Sequence, residues 1–236
     1  GIVPLVAAPI CLFLKKPKIV WLFACLASAL TFLISILLLQ QVNANGTLIY
    51  ELGGWEAPWG IEYRIDHLNA LLMLIISSIG AVVLWAAHIS LSKELNSDRH
   101  MYFYVLYLLS LAGMLGIVAT GDAFNVFVFL EVSSLSAYAL IALGRDRRAL
   151  WASYKYLIMG TIGATFILIG IGLMYQMTGT LNMHDLATRL PEVAQTRPVF
   201  VSFAFIVVGV CLKLALFPLH LWLPNAYAFA PSVVTA

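Results

Sequence analysis

Residues 206–224 read IVVGVCLKLALFPLHLWLP. The stretch is apolar enough to sit in a membrane, yet it carries Lys213, and Pro218, His220, Trp222 and Pro224 follow closely. Proline lacks an N–H, and the ring of Pro218 would clash with the carbonyl of Leu214, so the helix is expected to bend or break one turn after the lysine. Irregular backbone survives at membrane depth only where it faces protein or a water-filled cavity. Half-helix ends of that kind are good places for ions. Lys213 lies about fifteen residues into its segment, so on position alone it could also snorkel to the interface.

The rest of the chain agrees with a membrane setting. Of 236 residues, 62% are apolar and 10% are charged, against roughly a quarter charged in an ordinary soluble domain. Mean hydropathy is +0.97. These values exclude a disordered chain, a collagen, a coiled coil and a soluble globule. Apolar segments fall at 1–14, 19–39, 66–91, 101–119, 123–143, 150–175 and 198–217, and an eighth, 221–236, is interrupted by Pro224 and Pro231. About 20 residues span the hydrocarbon as a helix. The runs are continuous rather than alternating, which excludes a β-barrel. The expected fold is therefore all-α and polytopic, with seven to eight transmembrane helices and a discontinuous seventh.

Charge sets the expected orientation. Lys15, Lys16 and Lys18, then Lys93 and Arg99, then Arg145, Arg147 and Arg148 occupy alternate connections, while the others hold Arg64, Arg189 and Arg197. The first set is expected in the cytoplasm and the N-terminus outside. Residues 40–65 carry TLIYEL and IEYRI around Gly53-Gly54 and predict an outward-facing β-hairpin. Met183, Leu186 and Leu190, after a possible Asn182 cap, predict a short helix lying on the membrane surface. The chain begins inside an apolar run without Met and ends just past a proline-rich stretch, so it reads as a piece of a longer protein. No charged region precedes the first run, as a signal peptide requires.

Other chemistries find little support. A net charge of +2 is too small to point to nucleic acid. Cys11, Cys25 and Cys211 are single residues in apolar stretches, so no disulfide frame or zinc site is indicated. No GxSxG, HExxH, GxGxxG or CxxCH occurs, and the histidines are badly placed to ligate haem. No metal or cofactor is expected. Ser133, Ser134 and Ser136 have no nearby base and read as helix packing.

Two further charges lie inside apolar segments. Glu131 sits in FNVFVFLEVSSLSAYAL, residues 124–140, with no other acid within eight residues. A carboxylate at that depth costs about 2.5–3.5 kcal/mol on insertion scales, which makes a proton or ion role the leading reading and a packing ion pair the bland one. Lys155 lies one turn into its segment and either snorkels to the interface or pairs with Glu131. Gly160, Gly163, Gly170 and Gly172 on the same segment suit close helix packing. Asp66 and Asp122 stand where helix caps are favoured.

The stretches GDAFNVFVFLEVSSLSAYALIAL (121–143), WASYKYLIMGTIGATFILIGIGLMY (151–175) and KLALFPLHLWLPNAYAFAPSVVTA (213–236) together resemble the antiporter-like membrane subunits of respiratory complex I. The same family includes the large subunits of Mrp-type cation/proton antiporters and the membrane arms of energy-converting hydrogenases. Within it, GGWEAPWGI (53–61) looks most like the D-type subunit of the Mrp antiporter. The resemblance implies about fourteen helices in two inverted five-helix repeats. Here 1–100 would hold the leading helices one to three with the hairpin loop, and 101–236 the first repeat, helices four to eight, with the second repeat absent.

By motif position the resemblance assigns Glu131 as the fifth-helix glutamate, Lys155 as the sixth-helix lysine, Lys213 as the lysine on the broken seventh helix, and His220 as the histidine beyond Pro218. Leu130 stands where the family usually has an aromatic residue. The implied setting is the cell inner membrane, with other membrane subunits as partners and protons and sodium as the ions moved.

Physics adds a mechanism to this resemblance. Burial disfavours a charged lysine and a nearby carboxylate favours it. At about 4 Å and an effective dielectric near 20 the pair interaction is roughly 4 kcal/mol. Changing the pairing of Glu131 would then switch Lys213 between holding and releasing a proton. His220 would relay it onward, Lys155 could compete for Glu131, and no cofactor takes part. Three readings stay open: an Mrp-type antiporter subunit, a proton-pumping subunit of a redox complex, and a non-transporting scaffold.

Overall fold

The computed structural model describes residues 1–14 and 16–235, apart from the side chain of Ser97. Lys15, one of the charges used for orientation, and Ala236 lie outside the described residues. The chain forms α1 (Ile2–Phe13), α2 (Pro17–Asn45), β1 (Leu48–Glu51), β2 (Glu62–Ile65), α3 (His67–Glu94), α4 (Ser97–Ala119), α5 (Ala123–Ala142), α6 (Arg147–Thr178), α7 (Met183–Val193), α8 (Arg197–Lys213), α9 (Leu223–Phe229) and α10 (Ser232–Thr235). Five of these, α2 to α6, are long and apolar enough to cross a membrane. Helix α1 has 12 residues. Helix α8 has 17, or about 25 Å at 1.5 Å per residue.

The helix starts follow from local chemistry. Asp66 accepts from Asn69 N at 2.9 Å, and Asp122 accepts from Asn125 N at 2.7 Å. Each side chain thus satisfies one of the free N–H groups that open a helix. Asp146 caps α6 through Arg148 N. Asn182 caps α7 through His184 N and Asp185 N, so the short helix forms where its cap and apolar spacing place it.

The hairpin also forms. β1 and β2 pair antiparallel with Leu48 opposite Ile65 and Glu51 opposite Glu62. Gly53 and Gly54, at φ +70° and +74°, turn the chain after β1. Backbone bonds knit this layer to the helix ends: Gly121 N donates to Glu62 O, Ala123 N to Leu181 O, and Met183 N to Gly121 O. The hairpin and α7 therefore lie at one end of the bundle. The helix ends and connections bearing Lys16, Lys18, Lys93, Arg99, Arg145, Arg147 and Arg148 lie at the other.

Close packing of α8 on α6 positions the interior. A Cβ added to Gly209 would lie 2.6 Å from Gly163 O and 2.9 Å from Ile167 N. Ser202 Oγ donates across the interface to Gly170 O at 2.6 Å. Small residues let the two backbones nearly touch, as in other membrane helix pairs. Gly172, by contrast, faces open space.

Candidate functional site

Glu131 lies near the middle of α5, and Lys213 is the last residue of α8. The Lys213 ammonium donates to Glu131 Oε1 at 3.1 Å and to Ser134 Oγ at 2.8 Å. The lysine side chain is 11% exposed and the glutamate 22%. Lys213 therefore does not snorkel; it turns inward onto α5. At this spacing the gross Coulomb attraction is about 5 kcal/mol at an effective dielectric of 20. Most of that offsets the loss of hydration of the two charges. Removing one partner would leave the other uncompensated, a loss of roughly 3–5 kcal/mol.

The helix break lies earlier than Pro218 alone predicts. Leu216 N bonds Cys211 O at 3.0 Å and Ala215 N bonds Leu212 O at 3.3 Å. With Ala215 at φ +52°, this is a Schellman stop, usually built on glycine. The α8 hydrogen-bond pattern thus closes at Lys213, and Pro218 lies past the stop, where it hinders the helix from resuming. A proline rule locates the missing N–H but not the left-handed residue that turns the chain before it.

The connector after the break is held from outside. Trp222 Nε1 donates to Leu212 O at 3.1 Å, and the Trp222 ring stacks on Tyr156 of α6 with centroids 3.9 Å apart and planes 2° from parallel. The Tyr156 ring in turn meets Tyr138 of α5 edge-on at 4.5 Å. The aromatic ladder ties α5, α6 and the connector together beside the ion pair. An apolar cavity of about 440 Å³ borders it, lined by Ile76, Tyr107, Ser133, Tyr156, Trp222 and Tyr227 among others; neither Glu131 nor Lys213 lines it.

The other two sequence-predicted residues stand apart. Lys155 is exposed and places Nζ over the Trp151 ring, 5.4 Å from its centroid. The pairing of Lys155 with Glu131 is thus not formed: Lys213 occupies the glutamate, and Lys155 rests on an aromatic neighbour one turn back along its own helix. His220 lies in the connector, half-buried, 5.5 Å from the Phe217 ring, and its buried Nδ1 makes no hydrogen bond.

Ser134, expected to serve helix packing, is instead a partner of Lys213. The usable signal is its position three residues after Glu131, on the same helix face. Glu94 is a further residue that sequence reasoning misses. It accepts from Ser232 N at 2.7 Å and from the Ser232 hydroxyl, and so ties the end of α3 to the start of α10. No sequence rule links two residues so far apart. Among the described residues, no three His, Cys, Asp or Glu side chains gather as a metal site.

Residues 120–236 match the family model described as NADH:quinone oxidoreductase/Mrp antiporter, TM. The chain belongs to that family. Among relatives, it is 46% identical over 213 residues to the N-type subunit of the NADH-quinone oxidoreductase of Desulforudis audaxviator, covering 89% of this chain and 42% of the relative. It is 38% identical over 204 residues to the D-type subunit of the Na(+)/H(+) antiporter of Alkalihalophilus pseudofirmus, covering 86% and 41%. A solved structure of the membrane-bound sulfane sulfur reductase, an archaeal respiratory membrane complex, superposes with a TM-score of 0.90 at 35% identity over 99% of this chain and 47% of that one. The chain thus spans under half the length of these family members. It is a multi-pass membrane protein of this family, as the motifs around Glu131, Lys155 and Lys213 implied.

Proposed function

We propose that the parent protein translocates protons through Glu131 and Lys213 as a membrane subunit of an Mrp-type Na+/H+ antiporter. The observation that carries this reading is the buried Lys213–Glu131 pair, 3.1 Å apart and placed where α8 stops. A lysine paired with a carboxylate at a helix end holds its proton while the pair is closed. Opening the pair leaves a poorly solvated ammonium, which favours release. The irregular connector beyond Lys213 gives the proton a way out that an unbroken helix would seal. His220, with an unpartnered ring nitrogen in that connector, takes the relay role. Lys155 would reach Glu131 only by leaving Trp151.

On this reading, residues 1–100 provide the leading helices and 101–236 the first of two repeats. The partners are other membrane subunits and the lipid bilayer. The setting is the inner (plasma) membrane with the N-terminus outside, supported by the cluster of Lys and Arg at the end opposite the hairpin.

The second reading is a proton-pumping subunit of a redox complex. It is favoured by the relative named as a subunit of NADH-quinone oxidoreductase, at 46% identity, and by the respiratory complex that superposes at 0.90.

The test uses everted vesicles containing the full-length protein and its partner subunits. A pH gradient is set up and sodium added, with Lys213→Ala and Glu131→Ala in parallel. Sodium-induced collapse that both variants lose, with the complex still assembled, is the expected result. Donor-driven acidification lost in the variants, without a sodium response, selects the redox reading. Full proton movement in either variant overturns both.

A further inference from the structure

We propose that Ser134 is a positioning residue for Lys213, holding its amine in place in both protonation states. The inference rests on the reading of Lys213 as the proton-carrying group. Ser134 is 7% exposed and lies three residues after Glu131, on the same face of α5. Lys213 Nζ donates to its Oγ at 2.8 Å, closer than to the glutamate at 3.1 Å. Its neighbour Ser136 behaves differently: that hydroxyl donates back to Val132 O of its own helix at 2.7 Å, the usual habit of a mid-helix serine. The Ser134 oxygen is instead engaged across the helix interface.

The chemistry of a hydroxyl explains why this matters. A carboxylate only accepts, so Glu131 holds an ammonium and has little to offer a neutral amine. A hydroxyl accepts from Lys–NH3+ and, after rotation, donates to the lone pair of Lys–NH2. Ser134 can therefore keep Nζ beside α5 after the proton has left and be ready to receive it again. It neither gains nor loses a proton overall.

Among the described residues, the ion pair that Lys213 makes is with Glu131 alone. Helix α6 packs on the lysine stem through Gly163, whose added Cβ would sit 3.6 Å from Lys213 Cγ. The nearby titratable groups on α5 and α6 are the phenols of Tyr138 and Tyr156, both within electrostatic range of Glu131. Tyr138 lies one turn beyond Ser134. Its buried hydroxyl lies where a Cβ on Gly160 would collide with it and is near enough to the Ser134 hydroxyl to interact with it.

The experiment compares Ser134→Ala, Ser134→Val and Ser134→Thr with Lys213→Ala, in everted vesicles holding the whole complex. The readouts are the native proton movement and the amount of assembled complex. Val and Thr have nearly the same shape, and only Thr carries the hydroxyl. The expected result is a loss of about tenfold in rate for Ala and Val, the worth of one hydrogen bond to a charged group, with Thr restoring at least half the native rate. Native rates in assembled Ser134→Ala overturn the proposal, and so do equal losses in Val and Thr. If Ser134→Val fails to assemble, the contrast between Ala and Thr decides. Native activity in Lys213→Ala overturns instead the reading on which the proposal rests.

Discussion

The Trp222 indole donates to the Leu212 carbonyl at 3.1 Å, across the gap left where α8 stops. The acceptor belongs to the residue just before Lys213, so this bond fixes the helix end that carries the lysine. The same carbonyl also accepts from Ala215 N within the stop, at 3.3 Å, so the indole is its second donor and ties the connector to the helix end. Trp222→Phe keeps the stack on Tyr156 and removes only the N–H donor. We expect it to destabilise the assembled complex by about 0.5–1.5 kcal/mol, read as a lower melting temperature, with slower proton movement. Unchanged melting would show that the bond does not hold the stop.

Much of this is legible in the sequence, for identifiable reasons. Long apolar runs, Asp and Asn caps and the Gly53-Gly54 turn are local signals, and α2 to α7 and the hairpin follow from them. Glu131 and Lys213 stand out because charge at membrane depth is rare. Their mutual pairing, and the role of Ser134, depend on how α8 crosses α5, which no local pattern encodes. Lys155 shows the converse. It satisfies a motif, but its position one turn into α6 lets it settle on Trp151.

Ala215 occupies the left-handed position of the α8 stop at φ +52°. An L-residue there costs about 1–2 kcal/mol, and glycine does not. Ala215→Gly should preserve proton movement and raise the melting temperature slightly. Ala215→Val should lower both, since a β-branched side chain suits that conformation poorly. Equal behaviour of the two variants would contradict the assignment of the stop.

The α6–α8 seam has a sharper requirement. A Cβ on Gly209 meets backbone atoms of Gly163 and Ile167 that cannot rotate away. Gly209→Val should therefore force the helices apart and destabilise by about 1–3 kcal/mol or more, read as a loss of assembled complex. Gly172→Ala meets nothing within 4 Å. It should be neutral or gain up to about 1 kcal/mol from helix propensity. The pair of variants separates packing at the seam from a general intolerance of the α6–α8 pair to losing a glycine.

The surface helix α7 carries a pH-dependent contact. Arg189 Nε donates to Asp185 Oδ1 at 2.9 Å and holds that carboxyl below its ordinary range. A carboxyl depressed on folding contributes stability above its unfolded pKa, near 3.8, and loses it as pH falls through the depressed folded value. A fluorescent probe on α7 should thus report loosening on acidification below about pH 4. Arg189→Gln should remove that contribution already at neutral pH. The same acid response in the variant would place its cause elsewhere.

Lys155 separates a charge that motif position would make functional from one that geometry places at the periphery. Its ammonium lies 5.4 Å from the Trp151 ring centroid, and an exposed cation–π contact of that kind contributes about 0.5–1 kcal/mol. Glu131 already accepts from Lys213. If Lys213 is the only lysine that pairs with Glu131, Lys155→Gln keeps at least half the native rate, because no step of the cycle then needs a second lysine on the glutamate. If Lys155 instead displaces Lys213 during the cycle, the loss of its charge removes the competitor, and the rate falls as far as in Lys213→Ala. We expect the first outcome, measured as the initial rate of proton movement in everted vesicles holding equal amounts of complex. A Lys155→Gln rate as low as that of Lys213→Ala would show that the pair seen here is one of two alternating partners of Glu131.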